Sequence, residues 1–153
     1  MAAGNGFEAD CHASKMVMRG RTESLRWIVR PEDPTPNDLE IWYENGSTLW
    51  VRLRSPGPAT TPSGWIQLGH TQSQIRRTSD NKIVGQIEHL PSGTGNGDNR
   101  IVINLRPTDG AAQVGENAPA PSGIWTVEIR HKGGANATVH AWIWRDDAGH
   151  PGS

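Results

Sequence analysis

The histidines of this sequence are the side chains best suited to bind a metal ion. Zinc sites in small domains use ligands that occur in pairs about two to five residues apart. The histidines lack that spacing, and the pair Cys11-His12 alone is too small a ligand set. The sequence therefore predicts no metal and no other cofactor, and it places six histidines in structural or surface positions: His12, His70, His89, His131, His140 and His150.

The run Asn96-Gly-Asp-Asn99 carries side-chain oxygens of the kind that calcium prefers. A calcium ion takes about six to eight oxygen ligands in an organised geometry, which is more than this run supplies. A turn that leads into a strand over Asn99–Arg106 accounts for the same residues with fewer requirements. We therefore predict a turn here rather than a calcium site.

A serine peptidase needs a nucleophilic serine, a histidine base and an aspartate that orients the histidine. In one class of these enzymes the serine lies on a glycine-flanked turn between a strand and a helix. The sequence contains no Gly-Thr-Ser segment followed by a helical pattern, and no His-Gly-Thr segment that starts a helix. We expect that this chain is not itself an enzyme and that it carries no catalytic residues.

Tryptophan is the residue type that points most strongly to binding, because the chain has seven Trp beside one Phe and one Tyr. An indole exposed on a sheet can stack on a sugar ring or anchor a partner protein. The candidate binding residues are Trp42, Trp50 and Trp144. The alternative for Trp42 and Trp50 is that they close an outer face beneath a loop. Three further tryptophans are expected to fill a core that is short of phenylalanine: Trp27, Trp125 and Trp142.

The length of 153 residues suits a single domain, and the formal net charge of −1 gives no sign of a nucleic-acid-binding surface. No apolar run approaches the ~18 residues of a membrane span, and residues Met1–Lys15 lack the apolar stretch of a signal peptide. Cys11 has no second cysteine with which to form a disulfide bond. We expect a soluble domain that binds neither nucleic acid nor membranes, and the sequence assigns it no compartment.

Helical periodicity is almost absent, whereas short segments alternate in polarity between turns rich in Gly, Pro and Asn. This pattern is typical of an antiparallel sandwich or a barrel, between which periodicity does not choose. We predict a flexible segment over 1–13, a β domain over 14–147 and a flexible tail over 148–153. The predicted strands are Lys15–Gly20, Leu25–Arg30, Asp38–Glu44, Thr48–Arg54, Trp65–His70, Lys82–His89, Asn99–Arg106, Ile124–Arg130 and Thr138–Trp144.

The two strands on either side of Asn45-Gly-Ser47 are predicted to form a β-hairpin. A three-residue loop sets Leu39 opposite Leu53, with an apolar face completed by Ile41, Val51, Tyr43 and Leu49. The same register sets Trp42 opposite Trp50 on the other face, between charged pairs: Asp38 with Arg54, and Glu40 with Arg52. The last strand, Thr138–Trp144, has apolar residues on both faces, which indicates a central strand that is covered on both sides.

Four stretches occur in an order that resembles a known domain type: Arg26–Tyr43, Asn96–Asn99, Gly123–Ile129 and His140–Asp146. The resemblance is to a β-sandwich, jelly-roll or galactose-binding-like, that accompanies the catalytic domain of bacterial subtilisin-like (S8 family) serine peptidases. It spans roughly residues 14–147, and in such proteins the domain is inserted into the peptidase or appended to it. Trp144 stands where the family pattern has an acidic residue.

The resemblance implies an all-β antiparallel sandwich of about eight or nine strands with an accessory, non-catalytic role. Its partner would be a peptidase catalytic domain in the same chain or a separate chain. Two other functions stay open from the residues alone. One is a carbohydrate-binding module that uses exposed tryptophans, and the other is a structural protein that assembles through its sheet faces.

Overall fold

The computed structural model describes residues 12–61, 63–91, 98–110, 115 and 117–145. Along each strand buried side chains alternate with exposed or half-buried ones, as expected for sheets that cover a core on one face. The nine strands are β1 (His12–Val17), β2 (Thr22–Val29), β3 (Asn37–Glu44), β4 (Ser47–Arg54), β5 (Thr71–Arg76), β6 (Ile83–Leu90), β7 (Asp98–Leu105), β8 (Gly123–Gly134) and β9 (Ala137–Arg145).

These strands form two sheets in which all strand pairs are antiparallel. The larger sheet has six strands in the order β1-β9-β3-β7-β6-β5, and the smaller has three in the order β2-β8-β4. The prediction of an all-β antiparallel sandwich is confirmed. The core lies between the inner faces of the two sheets.

Two tryptophans occupy the centre of that core. Trp27 in β2 and Trp125 in β8 are opposite one another in register and are both fully buried, as predicted. The indole Nε1 of Trp125 donates a hydrogen bond to the carbonyl oxygen of Pro121 at 2.9 Å, so its polar atom has a partner away from water.

The predicted hairpin between β3 and β4 is wrong, although the predicted apolar faces are correct. Leu39 and Ile41 in β3, and Val51 and Leu53 in β4, are all buried. The two strands nevertheless belong to different sheets, β3 pairing with β7 and β9, and β4 with β8. The apolar faces therefore meet across the core instead of lying side by side, and the segment around Gly46 crosses between sheets.

Because β3 and β4 lie in different sheets, the predicted cross-strand pairs of the hairpin do not form. The guanidinium groups of Arg52 and Arg54 bond to Glu128 in β8. On the other sheet the carboxylate of Asp38 accepts a hydrogen bond from the amide of Asn104 in β7. Trp42 and Trp50 lie on opposite outer faces of the sandwich.

The predicted strand Trp65–His70 is also wrong. In this segment Ile66 makes a single bridge to Val51, with N···O distances of 2.7 and 3.1 Å. The strand follows it, as β5, which the sequence analysis missed because its polar sequence Thr-Gln-Ser-Gln-Ile-Arg has no apolar alternation. The other predicted strands correspond to β1 to β4 and β6 to β9.

Strand β9 was predicted to be covered on both sides, and this prediction is wrong for its outer face. It lies between β1 and β3, and Val139, Ala141 and Ile143 are buried beneath it. Among the described residues of its outer face, Thr138, His140 and Trp142 are exposed, Trp142 to 41%, so this tryptophan is not the core residue that was predicted. A strand inside a sheet still has one uncovered face when no third layer packs on it.

The predicted terminal segments 1–13 and 148–153 lie outside the described residues, apart from His12 and Ala13 in β1. The domain boundaries therefore stay predictions. Within the part of the chain that the structure describes, no helix has the length and apolar character needed to cross a bilayer.

Candidate functional site

The outer face of the six-stranded sheet carries a row of exposed rings near its β1 edge. Because side chains alternate across a strand, every second residue of β1, β9 and β3 points away from the core. The register sets His12 opposite Trp142, and His140 opposite Trp42. We call these four residues the aromatic strip.

Ring contacts organise the strip. The ring centroids of His12 and Trp142 are 4.2 Å apart with an interplanar angle of 23°, and those of His12 and His140 are 5.5 Å apart at 10°. His12 Nε2 lies 3.3 Å from His140 Nδ1, a hydrogen bond in which one nitrogen donates and the other accepts. The strip is therefore a pre-arranged surface rather than a set of independent side chains.

The charges around the strip are mainly negative. On the outward side of the same sheet, Arg100 lies over Trp42, with its Cζ 5.3 Å from the ring centroid. Its Nη1 also lies 3.8 Å from Oε2 of Glu40. The other charged side chains on the outward positions of β3, β6 and β7 are carboxylates: Asp38, Glu44, Glu88 and Asp98.

A cleft of about 430 Å³ opens beside the strip and shares Trp42 and His140 with it. Its wall adds polar groups from the end of β3, the start of β7, the turn between β8 and β9 and the first residues of β9. These groups include Glu44, Asp98, Asn136 and Thr138. An indole beside hydroxyl, amide and carboxylate groups is able to bind a small polar ligand.

A second cleft, of about 380 Å³, lies over the far end of the same sheet, between β5, β6 and β7. Its polar lining is mostly neutral, with amides from Gln74, Gln86, Asn104 and Asn117. Gln86 donates to Asn104 and Asn104 donates to Asp38, so part of this lining is already engaged in a ladder across three strands.

The outer face of the three-stranded sheet has the opposite charge, and we call it the arginine face. Its centre is Trp65, whose ring lies between Arg52 and Arg130, each with its Cζ 4.3 Å from the ring centroid. Trp50 is covered in a similar way by Lys132, whose Nζ is 4.5 Å from the ring centroid. Such cation–π contacts occupy the faces of these rings.

Glu128 balances the charge of this face. Its Oε1 accepts hydrogen bonds from Nε of Arg52 at 2.7 Å and from Nε of Arg54 at 2.9 Å. Burial alone would raise the pKa of Glu128, but the hydrogen bonds and charges of the two arginines outweigh it, so the pKa is below its ordinary value. The carboxylate therefore stays ionised and holds both guanidinium groups.

Replacing Glu128 with glutamine is expected to lower the free energy of unfolding by about 1 kcal/mol, because two neighbouring guanidinium groups lose their shared anion. Urea denaturation at low salt measures the change. The matched control is Glu23→Gln, which removes a more exposed pair with Lys15 at 3.6 Å and should cost less than about 0.5 kcal/mol. If the two variants lost the same free energy of unfolding, the stabilising role of the Glu128 contacts with both arginines would be contradicted.

Two of the histidines are buried and have structural partners. The carbonyl oxygen of Ile66, 3.1 Å from Nδ1 of His89, can only accept, so Nδ1 carries the proton. Nε2 then accepts from the hydroxyl of Tyr43 at 2.6 Å. His131 bonds through its two nitrogens to the backbone of Gly133 and Ala135. Both rings fix loops to strands.

Burial lowers the pKa of His89 below its ordinary 6.5, and the carbonyl of Ile66 opposes this only in part. The unfolded chain therefore binds a proton on His89 at a higher pH than the folded chain does. The stability that depends on neutral His89 is therefore fully present above about pH 6.5, and it decreases as the pH falls below that value. Burial also raises the pKa of Tyr43 to about 12, so the hydroxyl keeps its proton when it donates to His89.

We expect His89→Gln to reduce the loss of stability between pH 7 and pH 5, because glutamine also accepts from Tyr43 and donates to Ile66 but does not titrate. As the pH falls, the free energy of unfolding should decrease more steeply for the wild type than for the variant, by up to about 1.4 kcal/mol per pH unit. Chemical denaturation at several pH values measures it. Parallel pH profiles for wild type and His89→Gln would refute the assignment.

The structure does not bring the predicted binding residues together. Trp42 is half-buried on the outer face of the larger sheet, and Trp50 is half-buried on the arginine face. Trp144 lies in β9 opposite Asp38, and its side chain is outside the described part. The sequence analysis assigned no role to Trp65. Nothing in the neighbouring sequence indicates its contacts, because its cationic partners Arg52 and Arg130 are distant in the chain.

Among the described residues, no three His, Cys, Asp or Glu side chains come together in a way that could hold a metal ion. Cys11, Asn96 and His150 lie outside the described residues. Strand β7 begins at Asp98, so Asp98 and Asn99 are consecutive strand residues and lie on opposite faces.

No family model matches this chain, and no curated protein matches it. A solved structure does. The chain is similar to the Clostridium perfringens CspB protease, with a TM-score of 0.62 and 15% sequence identity. The match covers 92% of this chain and 26% of that protein, so this chain spans about a quarter of its length. At this identity the likeness shows the fold alone.

Proposed function

We propose that this chain is a non-catalytic accessory β-sandwich domain of a subtilisin-like serine peptidase. It stabilises the catalytic domain or shapes the access of substrates and partners to it. The observation that carries the proposal is the extent of the structural match, since nearly all of this chain corresponds to a minor part of a protease.

The hydrogen-bond partners of four described histidines support the proposal. A triad requires a histidine that takes a proton from a serine hydroxyl. Instead, His89 and His131 are held by a tyrosine and by backbone groups, and His12 and His140 bond to each other.

The proposal is tested in two steps. The purified chain is treated with a fluorophosphonate probe, which labels active serine hydrolases, and no labelling is expected. The coding region that contains the chain is then searched for a subtilisin-like catalytic domain, and the two are produced together. We expect them to co-purify and the melting temperature of the catalytic domain to rise. A labelled chain, or a catalytic domain that neither binds the chain nor gains stability from it, would overturn the proposal.

A second candidate function, carbohydrate binding, is favoured by the cleft beside the aromatic strip. Trp42 lies there next to the hydroxyl, amide and carboxylate groups that bind sugar hydroxyls. Titration with a panel of soluble oligosaccharides, followed by tryptophan fluorescence, tests this function. Saturable binding that is lost in Trp42→Ala and kept in Trp50→Ala would support it, and no response across the panel would exclude it for those sugars.

A further inference from the structure

We propose that the aromatic strip is the surface through which this domain docks on the catalytic domain of its peptidase. This inference rests on the proposed function and adds to it the face of the sandwich that makes the contact. The partner surface it requires has an apolar centre and a basic rim.

The first argument is the position of the strip relative to the ends of the sandwich. Strand β1 begins at His12, which is part of the strip, and β9 ends at Arg145, three residues after Trp142. Because His12 and Trp142 are opposite one another in register, β1 begins and β9 ends at the same end of the larger sheet. Any domain that precedes β1 or follows β9 in the same chain is tethered to this end of the sheet, which raises its effective concentration near the strip.

The second argument is the composition of the strip. Trp142 is 41% exposed, and Met16, which lies on the same face of β1, is 55% exposed. Tryptophan is the side chain most often found at the energetic centre of protein interfaces. The stacking of His12 on Trp142 already restricts both side chains, so less conformational entropy is lost when a partner covers them.

The third argument is charge. The carboxylates of Glu44 and Asp98 line the cleft that shares Trp42 and His140 with the strip. Two further carboxylates lie on the outward side of β3, where Glu40 pairs with Arg100 and Asp38 accepts a hydrogen bond from Asn104. A partner with lysine or arginine side chains around an apolar centre complements this surface, and an acidic partner would be repelled. The contact should therefore weaken as the salt concentration rises.

The arginine face is the main rival surface, because Ile28 and Ile124 are opposite one another there and are 45% and 40% exposed. The tryptophans of that face are already covered by cationic side chains of the same chain. Ile124 thus has about the same exposed fraction as Trp142 but lies on the other sheet, which makes it a matched control.

The experiment is a calorimetric titration of the catalytic domain with the chain and its variants. Trp142→Ala is expected to weaken binding at least about 10-fold, and Glu40→Lys about 3-fold or more. Ile124→Ser should stay within about 2-fold of wild type. Circular dichroism and melting curves establish that each variant is folded. If both domains belong to one polypeptide, the same variants are made there, and the melting temperature of the catalytic part is the readout.

The outcomes separate the two proposals. Wild-type binding that survives Trp142→Ala and is lost in Ile124→Ser would place the contact on the arginine face, overturning this inference while leaving the proposed function in place. No binding by the wild-type chain would overturn both. Light scattering that shows Trp142-dependent self-association, or Trp142-dependent oligosaccharide binding, without an effect on the peptidase would assign the strip to a different occupant and overturn the inference.

Discussion

Replacing Trp125 with alanine is expected to lower the free energy of unfolding by about 3–5 kcal/mol, the largest effect of any single change considered for this domain. Trp125 is fully buried in β8, the central strand of the smaller sheet, opposite the equally buried Trp27. The variant loses the burial of the indole, leaves a cavity and deprives the Pro121 carbonyl of its donor. Because domains of this size have a free energy of unfolding of only about 5–15 kcal/mol, the variant should unfold at a much lower urea concentration than the wild type.

The matched control is Trp142→Ala, which removes the same side chain from the exposed strip. It should cost about 1–2 kcal/mol, because 41% of Trp142 is already exposed and the variant loses only partial burial and the stacking on His12. Equilibrium urea denaturation, followed by far-ultraviolet circular dichroism, compares the two variants without relying on tryptophan fluorescence. Similar losses for Trp125→Ala and Trp142→Ala would contradict the division into buried and exposed tryptophans.

Gly134→Ala is expected to lower the free energy of unfolding by about 2–4 kcal/mol. Gly134 ends β8 with a φ of +85°, a conformation that side chains other than glycine adopt at a cost. A Cβ atom there would also collide with the carbonyl oxygen of Gly46, on the segment that joins β3 to β4. That oxygen accepts a hydrogen bond from Ala135, so it cannot move away without losing a second contact.

The neighbouring Gly133 provides the control, since a Cβ atom there meets nothing within 4 Å. Gly133→Ala should change stability by less than about 0.5 kcal/mol. Denaturation of the two alanine variants under the same conditions measures the difference. If Gly133→Ala is as destabilising as Gly134→Ala, the crossing of β8 and the β3–β4 segment is not as tight as the structure indicates.

The sequence predicts which face of a strand is buried because side-chain direction is a local property with a period of two. That is why Leu39, Ile41, Val51 and Leu53 are buried as expected. It does not predict which strand is the partner, because pairing depends on contacts between residues far apart in the chain. A short Asn-Gly-Ser loop allows both a hairpin within one sheet and a crossing between two sheets, and the structure has the crossing.

The candidate site could be predicted only in part. The sequence indicates that Trp42 lies among charged residues on an outer face, and the structure agrees. The sequence does not predict that Trp42 lies opposite His140, because this position requires β3 and β9 to be neighbours in the larger sheet. It also assigned Trp142 to the core, since an apolar residue on a strand carries no local sign that its face lacks a covering layer.

The order of the strands has a consequence for how this protein is made on the ribosome. In the described structure, β1 to β4 pair with β7, β8 and β9 and not with one another. Roughly ninety residues separate the end of β4 from the end of β9, which takes about 5–20 seconds to translate. During that interval β3 gains its first partner when β7 is made, β2 and β4 when β8 is made, and β1 only when β9 is made. Until then these strands lack their partner strands in the nascent chain, so this is the period in which a chaperone would protect it.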